Sequence, residues 1–518
     1  MRKSFIGGAV ILMAAGLVAR IFGFVYRIYL SNLIGAEGMG LYELIVPVYT
    51  AVVLTITAGI TIAVSKMIAE QTAGSNQANY GKITACALAV VTMAGMAVSL
   101  LIFINVNLIS AGLLGDERTR AALLVLVPCL PAVVCASALK GYFYGIQQVV
   151  PTAFSQVAEQ TVKILILLLL AGSISLKGAA FACAAATFSA AAGEIVNLFV
   201  LSIAYVLRKK RTSGIRRTGK PIRRRKIITD LLKSAAPVSA NRLVSSSLSA
   251  AEYILIPAML TLGGLDDKSS MEIFGRLTGM VLPLILFPSI VTNSLATTLV
   301  PAISESISLK KNRAVNYQIS KSIQVTFVLG VIFSALFICY SNEIGALVYR
   351  REKIGDLLLL MSFSCVFVYL QQTLTGVLNG LGRQGILLRN TIIGSILRIA
   401  AVCFLIPAFG IKSYILGFTI SLIVAEGLNL ITINKITGLV FDLRGWLLKP
   451  GLIWIVMVLV GRYIYAFFGI FHLGTASMTL LTLAANLFIA VFLIMLTGVL
   501  KTEEIFKIVG LKKGRMQQ

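Results

Sequence analysis

The sequence predicts an all-α membrane protein of about fourteen transmembrane helices, with two six-helix lobes around a central cavity and two further helices at the C-terminal end. Three observations predict it. Hydrophobic residues fill 58% of 518 positions and charged residues only 13%, where soluble chains run at about a quarter charged. Apolar runs of membrane-crossing length recur from one end of the chain to the other. Finally, short motifs in the first half return in the second at a nearly constant offset.

The apolar runs, in order, are 4–30, 42–64, 83–110, 120–144, 152–172, 178–206 and 232–262, then 275–300, 322–342, 355–381, 386–409, 412–433, 447–469 and 475–499. The opening Met1-Arg2-Lys3 followed by an apolar stretch looks like a signal peptide. That stretch continues to about Leu30 and contains Arg20 and Arg27, so it reads as the first permanent span. An even number of spans puts both ends on one side. With the ends inside, inner loops and tails hold about 29 Lys and Arg against about nine outside, which makes the ends cytoplasmic in a cytoplasmic (inner) membrane. The one basic outer cluster, Arg350, Arg351 and Lys353, is accompanied by Glu343, Glu352 and Asp356.

The formal charge of +26 raises nucleic acid as a partner. Its largest block, Arg208 to Lys226, holds about eleven basic residues including Arg216, Arg217, Arg223, Arg224 and Arg225. The block lies in a short polar gap between spans, where cytoplasmic loops concentrate Lys and Arg, so topology explains it and nucleic acid is excluded. Anionic membrane lipids are a secondary partner for such a loop. All seven cysteines (Cys86, Cys129, Cys135, Cys183, Cys339, Cys365 and Cys403) lie in apolar stretches without a C-x-x-C pair, so neither a zinc site nor a disulfide framework is expected. The single histidine, His472, reads as a polar residue of a short interfacial loop. No metal, cofactor or catalytic residue is called for, and the chain is expected to be a monomer and not an enzyme.

The internal echo sets the domain organisation. AVSKMIAE ends at Glu70 and TLVPAISE at Glu305; Leu139-Lys140-Gly141 is matched by Leu378-Asn379-Gly380, and Lys163 by Arg398. The offsets of about 235–239 residues span six helices, and a six-helix unit keeps its orientation when repeated, giving parallel repeats about an axis along the membrane normal. The lobes are then 1–207 and 231–434, joined by the basic loop 208–230, with 435–518 holding the last two helices and a basic tail. One lobe rocking against the other is what alternating access needs. Pro47, Pro128, Pro131, Pro237, Pro283 and Pro288 lie within spans and are candidates for bends.

About eight basic residues fall inside spans: Arg20, Arg27, Lys140, Lys163, Lys233, Arg242, Arg398 and Arg462. A charge at the bilayer centre costs roughly 2.5–3.5 kcal/mol on insertion scales, so each needs a partner, water or a route to the interface. Lys140, Lys233 and Arg462 lie near span ends and can snorkel. Lys163 follows Glu159 by one helical turn, so the two can neutralise each other. Arg20 and Arg27 are seven residues apart, on one face of the first span about 10 Å apart along it, with no acid in that span to pair with them. Arginine stays charged at working pH and offers a planar fork of donors to phosphate oxygens. These two are the leading candidates for holding a polyanion, with Arg242 and Arg398 for the opposite wall; a structural alternative has Arg27 snorkelling to the outer surface and Arg20 paired with an acid such as Glu43. The embedded acids Glu43, Glu159, Glu194, Glu252 and Glu426 have two roles open to them, binding a coupling proton or sodium ion or acting as counter-ions to the arginines.

Residues 19–50, ARIFGFVYRIYLSNLIGAEGMGLYELIVPVYT, carry Arg20, Gly23, Phe24 and Arg27, then Gly35 and Gly40-Leu41-Tyr42. This segment resembles the opening of the stage V sporulation protein B and polysaccharide-exporter family, and 57–70 and 274–305 resemble the ends of that family's second and eighth helices. The family is grouped with MurJ-type lipid II flippases and multidrug and toxin extruders in one superfamily of two-lobed transporters. The resemblance implies outward flipping of an undecaprenyl-pyrophosphate-linked saccharide, a peptidoglycan precursor such as lipid II, in spore cortex formation. It also implies that Arg20 lines the cavity, that Arg27 sits one residue beyond the matching MurJ-type arginine, and that Arg276 lies near a helix 8 arginine of those relatives. The second span here lacks an arginine found in that subgroup. The rival of the same fold is a multidrug or cation antiporter, which calls for cavity carboxylates where the first span presents arginines. A membrane glycosyltransferase is a further rival, disfavoured because the longest outer loop is only about fifteen residues.

Overall fold

The computed structural model describes residues 3–73, 79–174, 178–211, 222–470 and 474–499. Among them every regular element is helical. His472, Arg216, Arg217 and the basic tail lie outside the described residues. Hydrocarbon leaves no water to satisfy backbone groups, so apolar runs of this length close their hydrogen bonds within each helix.

By packing the chain forms two units, residues 1–279 and 280–518. The first contains α1 (Lys3–Ala73), α2 (Tyr80–Ile104), α3 (Arg120–Leu126), α4 (Cys129–Gly145), α5 (Val150–Ile174), α6 (Gly178–Arg211), α7 (Arg224–Leu262) and α8 (Asp267–Phe274). The second contains α9 (Leu282–Leu286), α10 (Ser289–Ser308), α11 (Asn312–Cys339), α12 (Ser341–Val348), α13 (Gly355–Ser362), α14 (Cys365–Gly380), α15 (Gln384–Phe409), α16 (Ile411–Thr437), α17 (Lys449–Gly469) and α18 (Thr475–Thr497). The sequence divides the lobes at the basic loop 208–230, whereas packing divides the chain at 279. The reason is that α7 lies along α1: Gly59 of α1 meets the Ala235 carbonyl and the Ser239 hydroxyl of α7 so closely that it has no room for a Cβ.

Eleven described helices are long and apolar enough to cross a membrane, or thirteen when each of two bent pairs is one span. The merging of two runs separates the count of thirteen from the fourteen read in the sequence. The 4–30 and 42–64 runs fall in the single element α1, which is broken at Gly35 (φ 70°, ψ −177°). That φ lies in the left-handed region where a Cβ is penalised, so glycine is the residue that permits the break. The 275–300 run is interrupted between α9 and α10 at Phe287-Pro288.

The repeat is visible in how the helices pack. Gly141 and Gly145 of α4 sit against α1, their Cβ positions 2.8 Å from the Thr61 and Ser65 carbonyls. In the second unit Gly376 and Gly380 of α14 sit against α10, at 2.6 Å from the Ala296 carbonyl and 3.2 Å from that of Val300. Each of these four residue pairs (141 and 376, 145 and 380, 61 and 296, 65 and 300) is 235 positions apart. The sequence match of Gly141 with Gly380 is therefore one helical turn out, and Gly376 is the packing equivalent. Both units also bend the same span, by 44° between α3 and α4 and by 53° between α13 and α14. Pro128 stands at the first bend, while Phe363 and Ser364 occupy the second. The second bend thus forms without a proline.

The glycine contacts generate a stability test. Gly376→Leu should lower the apparent melting temperature of the detergent-solubilised protein, corresponding to about 1–3 kcal/mol of overpacking. Gly427→Ala, at a helical position with open space around it, should be neutral or mildly stabilising. Thermal unfolding of both variants beside the parent protein checks the pair.

Candidate functional site

The chemistry of an apolar helical protein resides in the few charges it keeps within its spans, and the first unit holds most of them. Arg27 does not stand open. Its guanidinium is ion-paired to Glu43, and it donates to the carbonyls of Thr278 at 3.1 Å and Gly279 at 3.5 Å. Gly35 breaks the helix between Arg27 and Glu43, which lets two side chains sixteen residues apart on α1 meet. Glu43 is 3% exposed, so its charge depends on this partner. Ser31 and Tyr26 fasten the same stretch, Ser31 by donating to the Gly279 carbonyl at 3.4 Å and Tyr26 by a 2.8 Å hydrogen bond with Ser189 of α6. Arg27 is thus a brace in this conformation. The sequence-based pairing of Glu43 with Arg20 is replaced by one with Arg27.

Arg20 and Arg242 differ from it. Both are exposed on the surface of the chain, Arg20 on α1 and Arg242 on α7, and neither forms an ion pair among the described residues. Arg276, which follows α8, is ion-paired to Glu272 at 3.3 Å. Glu252 is buried in α7. On α5, Lys163 is 2.6 Å from Glu159 and 3.7 Å from Glu194 of α6. The i,i+4 pair expected from sequence is therefore present, extended by a second acid.

In the second unit Arg398 of α15 donates to Ser395 at 3.2 Å and lies 5.6 Å from the centre of the Phe418 ring, a cation–π arrangement. Glu426 of α16, 2% exposed, accepts from Asn429 at 3.0 Å, and Asn429 in turn accepts from Asn390 of α15 at 2.8 Å. Neither asparagine was singled out by sequence. Asn429 lies three residues beyond Glu426 on one helix face, and that spacing is the signal that points to it.

A cavity of about 500 Å³ opens in the first unit between α1, α2 and α7, lined by Val48, Val52, Ile56, Val98, Leu243 and Ile254 among others. Its wall is almost wholly apolar. It suits a hydrocarbon chain and offers no charge to a polar headgroup.

The profile described as "Polysaccharide biosynthesis protein" matches residues 5–307. Stage V sporulation protein B of Bacillus subtilis (strain 168) is 27% identical over 457 residues, covering 86% of this chain and 87% of that protein. Lipid II flippase MurJ of the same organism is 23% identical, covering 92% and 96%. Among solved structures, lipid II flippase MurJ in an inward closed conformation matches with a TM-score of 0.70 at 13% identity, over 96% of this chain and 99% of that one. An inward-facing multidrug resistance MATE transporter of the MOP superfamily matches with a TM-score of 0.63 at 14% identity, over 81% and 94%. The fold is the two-lobed one of these transporters, and the chain is a multi-pass membrane protein.

The Arg27–Glu43 pair generates a test. Glu43→Gln strands a guanidinium in a largely buried site and should cost about 3 kcal/mol, the low end for a broken buried pair because Arg27 keeps 32% exposure. The double variant Arg27→Met, Glu43→Leu should recover most of that loss. Apparent melting temperatures in detergent measure both.

Proposed function

Because the chain belongs to the polysaccharide biosynthesis protein family, we propose that it flips a lipid-linked saccharide across the cytoplasmic membrane by alternating access. The substrate in this reading is an undecaprenyl-pyrophosphate-linked peptidoglycan precursor such as lipid II, with a use in spore cortex formation. The observation that carries it is the likeness along nearly the whole chain to proteins named as lipid II flippase and stage V sporulation protein B. The chain would lie with both ends in the cytoplasm, act as a monomer, and move as the lobes 1–207 and 231–434 set by the repeat.

In the mechanism, Arg20 takes the pyrophosphate, because its permanent charge is not spent on an acid among the described residues and its fork suits phosphate oxygens. Arg242 is the second donor. Arg27, held by Glu43, keeps the first helix in place while the headgroup is bound. The polyprenyl tail stays in apolar surroundings as the sugar enters water, and rocking of the lobes exposes the headgroup outside. An inside-negative potential favours this direction by roughly 2.3 kcal/mol per 100 mV for each negative charge moved outward. No covalent step is needed.

Proteoliposomes loaded with labelled lipid-linked saccharide test this function. The wild-type protein should render the headgroup accessible on the far leaflet, and Arg20→Ala should abolish that while inserting normally. Transport of a cationic dye in place of the lipid would favour the antiporter instead. Unimpaired flipping by Arg20→Ala would remove the phosphate role of that residue.

A further inference from the structure

Packed interiors leave few gaps larger than a water molecule, and the first unit keeps one of about 500 Å³ between α1, α2 and α7. Its residues explain why it stays open. At Gly59, α1 and α7 come together so closely that a Cβ would strike the Ala235 carbonyl. Beyond that contact the lining includes small residues, Ala51 on α1 and Ser247, Ala250 and Ala251 on α7, which leave the space unfilled. Pro237 and Pro257, both within α7, bracket this stretch, and a proline in a helix interior favours a bend. The Thr55 hydroxyl is spent on the Ala51 carbonyl at 2.6 Å, so its proton is not available to an occupant.

The lining holds no acid. A cation stands next to it: Arg242 directly precedes Leu243, which lines the cavity, and Arg242 is exposed without an ion pair among the described residues. Arg242 lies about 15 Å along α7 from Leu232, where the apolar run begins. That depth is near the middle of a hydrocarbon core about 30 Å thick. A resting phospholipid keeps its phosphate at the membrane surface and leaves a charge at this depth unanswered. A lipid whose diphosphate is being carried across brings anion and chain to this depth together. From Leu243 the lining of α7 runs to Ile254, away from the basic end of that helix. A lipid entering from the basic side has its chain pointing the same way.

We propose that this cavity holds the chain of a polyprenyl diphosphate, with its phosphates at Arg242, while the headgroup is in transit. Small-molecule sites are built this way, as mostly apolar volumes of about 300–1,000 Å³ with a few polar groups that fix orientation. The proposal rests on the transport reading and adds to it a place for the chain within the first unit. Labelling of the cavity needs no transport, so the two fail separately. Flipping with the label found elsewhere overturns the cavity alone, and label in the cavity without flipping upholds the cavity and overturns the transport reading.

The experiment uses the purified full-length protein in nanodiscs with two photoactivatable probes. One is farnesyl diphosphate with a benzophenone at the end of its chain; the other is phosphatidylglycerol with the same group on an acyl chain. After illumination, mass spectrometry of peptides locates the attachment. The diphosphate probe should attach within 48–56, 98–113 or 243–254, excess undecaprenyl pyrophosphate should suppress it, and the phosphatidylglycerol probe should leave these segments unlabelled. Ala251→Phe, which fills the cavity, should lower this labelling by about tenfold or more, and Leu169→Phe, on the exposed face of α5, should keep it. Val52→Trp fills the cavity from the α1 wall and replaces Ala251→Phe should that variant fail to fold. Attachment of the diphosphate probe outside these segments overturns the site, as does equal labelling of them by phosphatidylglycerol, or undiminished labelling in a folded cavity-filling variant.

Discussion

Charge inside hydrocarbon has to be neutralised or put to use, and the arrangement of this molecule follows from that constraint. The same medium that forces the backbone into helices makes each embedded Arg, Lys and Glu costly by a few kcal/mol. The first unit meets the cost by pairing across helix breaks. Arg27 reaches Glu43 because Gly35 interrupts α1 between them, and it adds the carbonyls of Thr278 and Gly279 beyond α8. The Arg27 guanidinium therefore ties the start of the chain to the residues that close the first unit. The charges left outside such pairs are the ones on which transport is proposed to depend.

The two halves meet the packing problem in the same way and the charge problem differently. Glycine pairs 235 residues apart let α4 approach α1 and α14 approach α10 to backbone contact, and both units bend the span that carries those glycines. An added methyl group at Gly141, Gly145 or Gly376 would overlap a backbone carbonyl, and at Gly380 the neighbours would have to give way by a few tenths of an ångström. Charge is free to diverge. Where one half has Glu194 the other has Asn429, and where one has Lys163 the other has Arg398 stacked on Phe418.

Much of this was legible from the residues. Apolar runs located the helices, because hydrocarbon demands length and composition over any finer pattern. The Glu159–Lys163 pair was legible because i,i+4 spacing within one helix needs no tertiary knowledge. The register of the repeat was legible from AVSKMIAE and TLVPAISE, whereas the Gly141 and Gly380 match slipped by a turn, since a helix presents similar small residues every four positions. The partner of Arg27 was hidden. Glu43 lies across a break whose geometry depends on one positive φ at Gly35, and counting along a helix does not survive such a break. Asn390 and Asn429 were hidden for another reason: an asparagine in an apolar run becomes informative only when its hydrogen-bond partners are known.

Permanent positive charge retained on the first helix is proposed to grip a diphosphate. Native mass spectrometry of the purified protein with undecaprenyl pyrophosphate and with undecaprenol, which shares the chain and lacks the phosphates, tests it most directly. The diphosphate should be retained far more strongly than the alcohol, and replacing Arg20 by alanine should bring the two close to equal. Equal retention of both lipids by the unaltered protein would contradict it.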